Sequence, residues 1–240
     1  MKLNLEYKLP DWLHIILAPF GIQPIDFSNP LVRCRAIQHM CHAFGTKEGF
    51  VNQLVRMTPD PERDRVRERL YEMDIDLFVG PHKACWESPD GFAAAWWTPP
   101  TVEKLSAWQM LQLVPTGMQI LGLLGAIKGF GALQEMDAAR PSEPHWYLNN
   151  LAVDKIRQGE HYGSALLVPI LWLADDKNYP VFLMIANPDN QRYYERFGFH
   201  LVREELQPQF GPEIPFFKAM LRRPGTIEMT PDNVKKLLAC

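Results

Sequence analysis

The sequence predicts a mixed α/β fold, and three segments of the 240-residue chain carry that prediction. Residues 145–153 form an uncharged run rich in aromatic and aliphatic side chains, which is typical of a strand covered on both faces. Apolar residues recur at helical spacing over 164–174, and 181–186 is a second short apolar run. A helix between two such strands supplies the crossover that a parallel pair requires.

A short helix and a strand pair complete this half of the chain. Asn190 can cap a helix over 190–197, and Gly198 ends it in the way a left-handed C-cap requires. After Phe199 the pattern predicts two strands joined by a Pro/Gly-rich connection. A last helix is expected at 230–238, with Pro231 in its first turn.

The first hundred residues predict helices followed by strands. Apolar spacing over 30–57 indicates one or two helices, and 59–73 continues as a charged helix. A strand hairpin is predicted from the segments 77–80, 83–87 and 92–97, with a turn at 88–91. An earlier strand is expected at either 3–8 or 21–26, and the pattern does not choose between them.

Residues 101–143 separate that hairpin from the strand at 145–153 by more than a typical connection, which predicts a helical insertion. No charged residue lies between positions 105 and 127, so a membrane span has to be weighed. Pro115, Gly117 and three glutamines argue against one. We therefore expect no membrane partner, and two helices that line an acceptor cleft or a homodimer contact.

Composition narrows the class of protein. The 25 Lys and Arg residues against 28 Asp and Glu residues give a net charge of −3, which argues against binding to nucleic-acid phosphates. Four widely spaced cysteines form no Cys-x-x-Cys pair and fit a reducing compartment, and we expect no metal. The polar N-terminus does not resemble a secretory signal, so a cytoplasmic location is expected.

One domain is the simplest division of the chain. It would comprise an N-terminal half at 1–100, the insertion at 101–143, a core at 144–223 and a C-terminal extension at 224–240. Within the core, residues 158–163 form a loop that holds Gly159 and Gly163 and lies directly before the helix at 164–174. Unpaired N–H groups and the helix dipole favour an anion there, and a pyrophosphate would fit.

The order of these motifs carries a resemblance. The strand HWYL, the loop beginning Gln-Gly, and the corner Tyr-Glu-Arg-Phe-Gly-Phe at 194–199 are similar to the core of the GNAT N-acetyltransferase superfamily, over roughly the last hundred residues. Within that superfamily, this combination of motifs resembles puromycin N-acetyltransferase and its relatives. The resemblance implies an acyl-CoA N-acyltransferase fold, with a mixed, mostly antiparallel central sheet flanked by helices. It also implies acetyl-CoA as the cosubstrate.

The resemblance assigns site residues by position. In the family, the strand before the loop splays from its neighbour at a bulge and pairs with the pantetheine arm, which here falls on Asn150, Leu151, Ala152 and Val153. The phosphate-binding loop falls on Gln158, Gly159, Glu160, His161, Tyr162, Gly163 and Ser164. Asn190 would hydrogen-bond the coenzyme arm. Tyr194 would protonate the leaving thiolate, a role that contributes about 10²–10⁴-fold in rate.

Two residues depart from the family pattern. His161 stands where Gly is usual, so it must adopt a positive φ, which His tolerates better than most residues, or shift the loop. Asn149 stands where many relatives carry a Glu that deprotonates the amine, and Asn cannot act as a base. A route through water to His145 or Glu143 is one alternative, and the base stays unassigned.

The sequence therefore predicts an N-acetyltransferase that uses acetyl-CoA to acylate the amine of a small molecule. A small acceptor is favoured because the resemblance runs toward an antibiotic-modifying branch and no acidic track for a basic peptide is evident. The alternative is an acyl-CoA-binding sensor or regulatory domain without transferase activity. Asn149 and His161 keep that alternative open.

Overall fold

One seven-stranded sheet organises the chain in the order β1-β2-β3-β4-β5-β7-β6. The computed structural model describes residues 9–45, 50–56, 58–102, 104, 107–206 and 217–239. The strands are β1 Gln23–Pro24, β2 Cys85–Glu87, β3 Ala93–Thr98, β4 Trp146–Val153, β5 Val181–Ile185, β6 His200–Leu206 and β7 Phe217–Arg222. The β4–β5 pair is parallel and the other five pairs are antiparallel, which confirms the mixed, mostly antiparallel sheet.

Helices flank the sheet. They are α1 Asp11–Leu17, α2 Pro30–Phe44, α3 Phe50–Val55, α4 Arg63–Asp74, α5 Ala107–Ala139, α6 Tyr162–Asp176, α7 Gln191–Glu195 and α8 Pro231–Ala239. The predicted crossover helix is α6, and the predicted C-terminal helix is α8. Gly198 adopts φ +85° three residues after the end of α7, and the Phe199 amide donates to the Tyr194 carbonyl at 3.3 Å, as the predicted left-handed C-cap requires.

Two expectations for the N-terminal half need correction or completion. The segment 77–80 is not a strand, because α4 continues into a π-helical turn at Ile75–Val79 and a 3₁₀ turn at Gly80–His82. A short apolar run fits a buried helical turn as well as a strand, which explains the error. Of the two candidates for the first strand, residues 23–24 pair with β2, whereas 3–8 lies outside the described residues.

Both faces of the central strands are covered. All six residues of β3 are buried. On one face, Trp97, Trp146 and Leu148 pack with the apolar side of α6. On the other face, Trp96 and Ala152 pack with residues of α2 and α4. This double cover explains why β3 and β4 lack the alternation of a half-exposed strand.

The predicted helical insertion is α5, and Gly122 divides it. Gly122 has φ +71° and ψ 175°, so two helical segments meet at a break. By length and composition the segment Met110–Ala139 is apolar enough to cross a membrane, which is weak evidence taken alone. Each segment on either side of Gly122 is shorter than the ~20 residues that a helical span needs. The prediction of two helices in the insertion therefore matches the structure.

Candidate active site

The central strands β4 and β5 separate partway along their length. They pair from Trp146 to Leu148, which lies opposite Leu183, while β4 runs on to Val153. On its other edge β4 faces β3, where the register shifts so that Asn149 is the extra residue of a bulge. Beyond Leu148, the β5-facing backbone of β4 has no partner strand in the described part of the chain. An extended ligand can pair there in the manner of an added strand.

This separation coincides with the edge at 150–153 that the resemblance assigned to the pantetheine arm. Leu151 and Val153 are partly exposed, whereas Ala152 is buried against the α2–α4 face. Asn150 and Leu151 line the cavity described below. The Val153 carbonyl accepts a hydrogen bond from Gln158 Nε2 at 3.2 Å, so the loop folds back on the end of the strand.

The loop after β4 is held in shape by its own polar groups. The Gln158 amide donates to the Lys155 carbonyl at 3.4 Å, and the Glu160 amide donates to the Arg157 carbonyl at 3.3 Å. The Glu160 carboxylate also pairs with the Arg157 guanidinium at 2.9 Å. The polar groups of Gln158 and Glu160 thus shape the loop.

His161 begins α6 in the left-handed region, with φ +63° and ψ 11°. Of the two alternatives predicted for this position, the structure therefore shows the positive φ. The first backbone bond of the helix runs from the Ala165 amide to the His161 carbonyl at 3.0 Å. The amides of residues 162–164 precede that bond, at the end of the helix where unpaired N–H groups and the dipole favour an anion.

Gly163 lets three elements approach closely. A Cβ at this position would lie 2.8 Å from the Tyr193 hydroxyl oxygen and 3.6 Å from Val153 Cγ2. Tyr193 in turn packs against Tyr194, with ring centroids 5.1 Å apart. The end of β4, the start of α6 and helix α7 therefore meet at one point.

Asn190 and Tyr194 lie at the wall of one cavity. Asn190 is exposed at the end of the 3₁₀ turn Pro188–Asn190. Tyr194 is 8% exposed and packs edge-on against Phe199, with centroids 5.9 Å apart. Burial, reinforced by neighbouring Tyr193, raises the pKa of Tyr194 far above its ordinary value. The phenol therefore stays protonated and can serve as a hydrogen donor.

The cavity has a volume of about 270 Å³ and begins where β4 and β5 separate. Its lining includes Leu183 and Ile185 from β5. Apolar side chains from the helical side complete it: Phe44, Phe50, Val51, Leu54, Leu70, Phe78, Leu121, Phe130 and Leu133. Helix α5, the predicted insertion, therefore contributes part of the cavity lining.

Asp74 is a cavity residue that the sequence analysis missed. Its Oδ2 accepts a hydrogen bond from Asn150 Nδ2 at 2.9 Å. Burial raises the pKa of Asp74 to about 7, against the opposing effect of the Asn150 hydrogen bond. One signal was present in the sequence: Asp74 follows the buried residues Val66 and Leu70 at helical spacing, on the inner face of α4.

The residues considered earlier as alternative bases have other contacts. His145 is buried, its Nδ1 lies 2.8 Å from the Glu143 carbonyl oxygen, and Arg140 Nε donates to its Nε2 at 3.2 Å. Burial lowers the pKa of His145 to about 4, so the ring is neutral near pH 7. The Glu143 carboxylate pairs with Arg223. Asn149 does line the cavity, and its Oδ1 accepts from the Thr98 hydroxyl at 2.8 Å.

The two histidines of α2 have different surroundings. His42 Nδ1 lies 2.6 Å from the Asp154 carboxylate, whereas His39 is buried. Within the described ranges, no group of three or more His, Cys, Asp and Glu residues could hold a metal ion. Cys34, Cys41 and Cys85 are free thiols, and Cys240 lies outside the described residues.

The separated central strands, the loop at a helix N-terminus and the cavity between them define the fold of the acyl-CoA N-acyltransferases. A family model described as the acetyltransferase (GNAT) family matches residues 68–199, more than half of the chain. The chain belongs to the acetyltransferase (GNAT) family. The comparisons do not confirm the puromycin N-acetyltransferase branch.

Individual relatives are distant. An uncharacterized N-acetyltransferase of Schizosaccharomyces pombe is 27% identical over 100 residues, which are 41% of this chain and 40% of that protein. A Corynebacterium glutamicum structure, described as histone acetyltransferase HPA2 and related acetyltransferase, is 21% identical with a TM-score of 0.59, covering 85% of this chain and 96% of that one. Arylalkylamine N-acetyltransferase 2 of Aedes aegypti is 15% identical with a TM-score of 0.53, covering 84% and 97%. These structures share the fold.

Proposed function

We propose that this chain is an acetyl-CoA-dependent N-acetyltransferase whose acceptor is the amine of a small molecule. The observation that carries the proposal is the separation of β4 from β5 beyond Leu148, at the entrance of a cavity that reaches Tyr194 and α5. A donor held along β4 would present its acyl group to an acceptor held on the α5 side.

The residues around the opening fit the parts of acetyl-CoA. The free edge of β4 at 150–153 suits the amide groups of the pantetheine arm, which can pair with a strand. The amides of residues 162–164 suit the pyrophosphate. Asn190, exposed at the cavity wall, suits the coenzyme arm. Acetyl-CoA would supply the acyl group as a thioester.

Two groups of the chain would serve the transfer itself. Attack of an amine on the thioester carbonyl produces an oxyanion, and a backbone N–H of β4 beside the Asn149 bulge can stabilise it. Breaking the C–S bond releases a thiolate, to which the Tyr194 phenol would donate its proton. This assignment leaves the group that deprotonates the amine open.

A small acceptor is favoured by the cavity. Its volume of about 270 Å³ suits a small molecule, and helix α5 forms part of its wall. Two proteins that share the fold are described as arylalkylamine and agmatine N-acetyltransferases, both named for small amines. Fold likeness alone does not carry a substrate from one protein to another, so the cavity is the main support.

The test combines binding with turnover. Calorimetry with acetyl-CoA should give saturable binding, and a panel of primary amines should include one that releases free thiol. Tyr194→Phe should lower kcat by about 10²–10⁴-fold with little change in the Kd of acetyl-CoA. Tyr179→Phe, a partly buried tyrosine that packs against the core, is the matched control and should keep near-normal kcat.

The alternative is an acyl-CoA sensor, which Asn149 favours because it cannot act as a base. Acetyl-CoA binding without thiol release on a broad amine panel would support the sensor. Failure to bind acetyl-CoA would exclude both functions. Thiol release that survives Tyr194→Phe would keep the transferase and remove Tyr194 as its acid.

A further inference from the structure

We infer that Asp74 receives the acceptor, binding its ammonium group and taking the proton that must leave before the nitrogen attacks, and that the acceptor is an apolar monoamine. This inference rests on the proposed N-acetyltransferase function. It adds the missing base and the substrate class. Three independent features support it: the position of Asp74, the pairing of the other charges in the cavity, and the apolar lining.

Position is the first feature. Asp74 is the last residue of α4, at the point where the chain enters the π-helical turn Ile75–Val79. Its carboxylate is tied to the Asn150 side chain by the 2.9 Å hydrogen bond. Asn150 follows the bulge residue Asn149 on the edge of β4 that faces the cavity. The carboxylate is therefore held beside the strand that would carry the thioester.

Charge pairing is the second feature. No ion pair formed within the described ranges involves Asp74. Asp137, the other carboxylate of the lining, pairs with Arg140 at 3.3 Å. Lys104 Nζ also donates to the Asp137 carbonyl at 2.7 Å, which adds positive charge at that end. One ammonium would be neutralised at Asp74, whereas the second ammonium of a diamine would meet two cations near Asp137.

The lining is the third feature. Aromatic and aliphatic side chains from α2, α3, α4, α5 and the turn Ile75–Val79 line the same cavity as Asp74, among them Phe44, Phe50, Phe78 and Phe130. An apolar amine body would bury its surface there with a gain of roughly 25 cal/mol per Å². A monoamine with an aromatic or branched alkyl body fits this combination.

The titration of Asp74 agrees with a role as base. Burial raises its pKa to about 7, which brings it closer to that of an alkylamine, about 10. The other titratable groups of the lining are His82, whose pKa burial lowers, three tyrosines, whose pKa values burial raises, and the Asp137–Arg140 pair. The tyrosines are Tyr71, Tyr147 and Tyr194. Asp74 is thus the lining carboxylate whose charge would change near neutral pH.

The transfer balances in atoms and charge. One proton passes from the ammonium to Asp74, and the freed nitrogen lone pair forms the C–N bond with the thioester carbonyl carbon. The C–S bond breaks, and the sulfur leaves as thiolate and accepts the Tyr194 proton. The amide nitrogen loses its second proton as the tetrahedral centre collapses. That proton restores the Tyr194 phenol, and Asp74 releases the first proton to solvent. The net products are the N-acetylamine, free CoA thiol and one proton released to solvent.

The experiment compares three carboxyl-to-amide variants on two acceptors. Asp74→Asn, Asp137→Asn and Glu72→Gln would be assayed for thiol release with 2-phenylethylamine and with agmatine over pH 5.5–9. Glu72 lies on the exposed side of the same helix as Asp74. Thermal melting and acetyl-CoA calorimetry would be run on each variant, so that a folding defect is recognised.

The inference requires four results. Wild type should prefer 2-phenylethylamine over agmatine by at least about 10-fold in kcat/KM. Its kcat/KM should also fall as the pH drops below about 7, and this falling part of the pH profile is the acid limb. Asp74→Asn should lower kcat/KM by about 10²–10⁴-fold and abolish that limb, with the Kd of acetyl-CoA within about twofold of wild type. Glu72→Gln should behave as wild type. Asp137→Asn should keep the acid limb.

Three outcomes would overturn the inference. Full activity of folded Asp74→Asn would remove Asp74 as the base while leaving the transferase intact. A wild-type preference for agmatine would reject the monoamine class. If wild type binds acetyl-CoA and acetylates no amine, the proposed function fails, and the inference fails with it. If Asp74→Asn does not fold, Asp74→Glu provides the test. It must retain part of the activity and shift the acid limb, and an unshifted limb would overturn the inference.

Discussion

The Asn150 side-chain amide donates a hydrogen bond to the Asp74 carboxylate at 2.9 Å, joining the free edge of β4 to the end of α4. This bond stabilises the ionised carboxylate and so opposes the effect of burial on its pKa. Asn150 therefore has two roles in the site: its backbone belongs to the strand edge, and its side chain lowers the pKa of Asp74. A substitution that changes only the side chain separates these roles.

Asn150→Leu keeps the strand backbone and the branched shape of the side chain but removes the donor. The pKa of Asp74 should rise above 7, so the acid limb of kcat/KM should move to higher pH. A pH–rate profile measures the shift. Asn149→Ala, which breaks the bond to Thr98 and leaves the Asp74 bond in place, is the control and should not move the limb. An unchanged limb in Asn150→Leu would contradict the coupling.

Asp74→Asn should change how stability depends on pH. The pKa of Asp74 is about 7 in the fold and 3.8 in the unfolded chain, so the folded state holds the extra proton between these values. Stability contributed by this group is therefore lost as pH rises from about 4 to about 7. Relative to wild type, the variant should gain on the order of 2–4 kcal/mol of unfolding free energy at pH 8 and little at pH 4.

Urea unfolding at pH 4, 6 and 8 measures this difference for Asp74→Asn and for Glu72→Gln. Glu72 lies on the exposed side of α4. Glu72→Gln therefore controls for the loss of one negative charge. A difference between wild type and Asp74→Asn that stays constant over these pH values would show that Asp74 has an ordinary pKa in the fold.

Gly163→Ala should weaken acetyl-CoA binding. The added Cβ would lie 2.8 Å from the Tyr193 hydroxyl oxygen, and Tyr193 is packed against Tyr194 and Phe197. Either the packed Tyr193 ring or the start of α6 must shift, so we expect a loss of about 1–3 kcal/mol in stability and about a 10-fold rise in the Kd of acetyl-CoA. Calorimetry and thermal melting provide the two measurements.

A double variant identifies the cause of that loss. Adding Tyr193→Phe to Gly163→Ala removes the hydroxyl that the Cβ meets and should recover most of the affinity. Gly131→Ala in α5, where a Cβ meets nothing within 4 Å, should be tolerated. If the double variant binds no better than Gly163→Ala alone, the contact with Tyr193 is not the cause.

His161→Gly should stabilise the fold. His161 has φ +63°, where an L side chain costs about 1–2 kcal/mol and glycine does not. After the entropy that glycine adds to the unfolded chain, we expect a net gain of about 0.5–1 kcal/mol. His161→Ala keeps the strained φ and loses only the imidazole, so it should show no gain. Chemical denaturation distinguishes the two, and a gain in His161→Ala would contradict the strain interpretation.

Segments whose structure depends on local pattern were predictable. The strand at 145–153, helix α6, strand β5 and the corner at Gly198 follow one another within about 55 residues, each marked by its own spacing or glycine. The positive φ of His161 was one of two alternatives that followed from the family resemblance, because His161 stands where the family usually carries glycine. The segment 77–80 was wrong because a four-residue apolar run does not distinguish a strand from a buried helical turn.

The sequence by itself determined the family and predicted residues for the donor half of the site, because the loop, its glycines and the Tyr194 corner are contiguous motifs. Only the tertiary structure supplied the residue proposed to receive the acceptor. Asp74 and Asn150 lie 76 positions apart in the chain, and their contact depends on α4 packing across β4. The raised pKa of Asp74 depends on burial in the cavity that α5 completes. Long-range packing and desolvation leave no local pattern in a single sequence, which is why Asp74 was not among the candidate residues that the sequence offered.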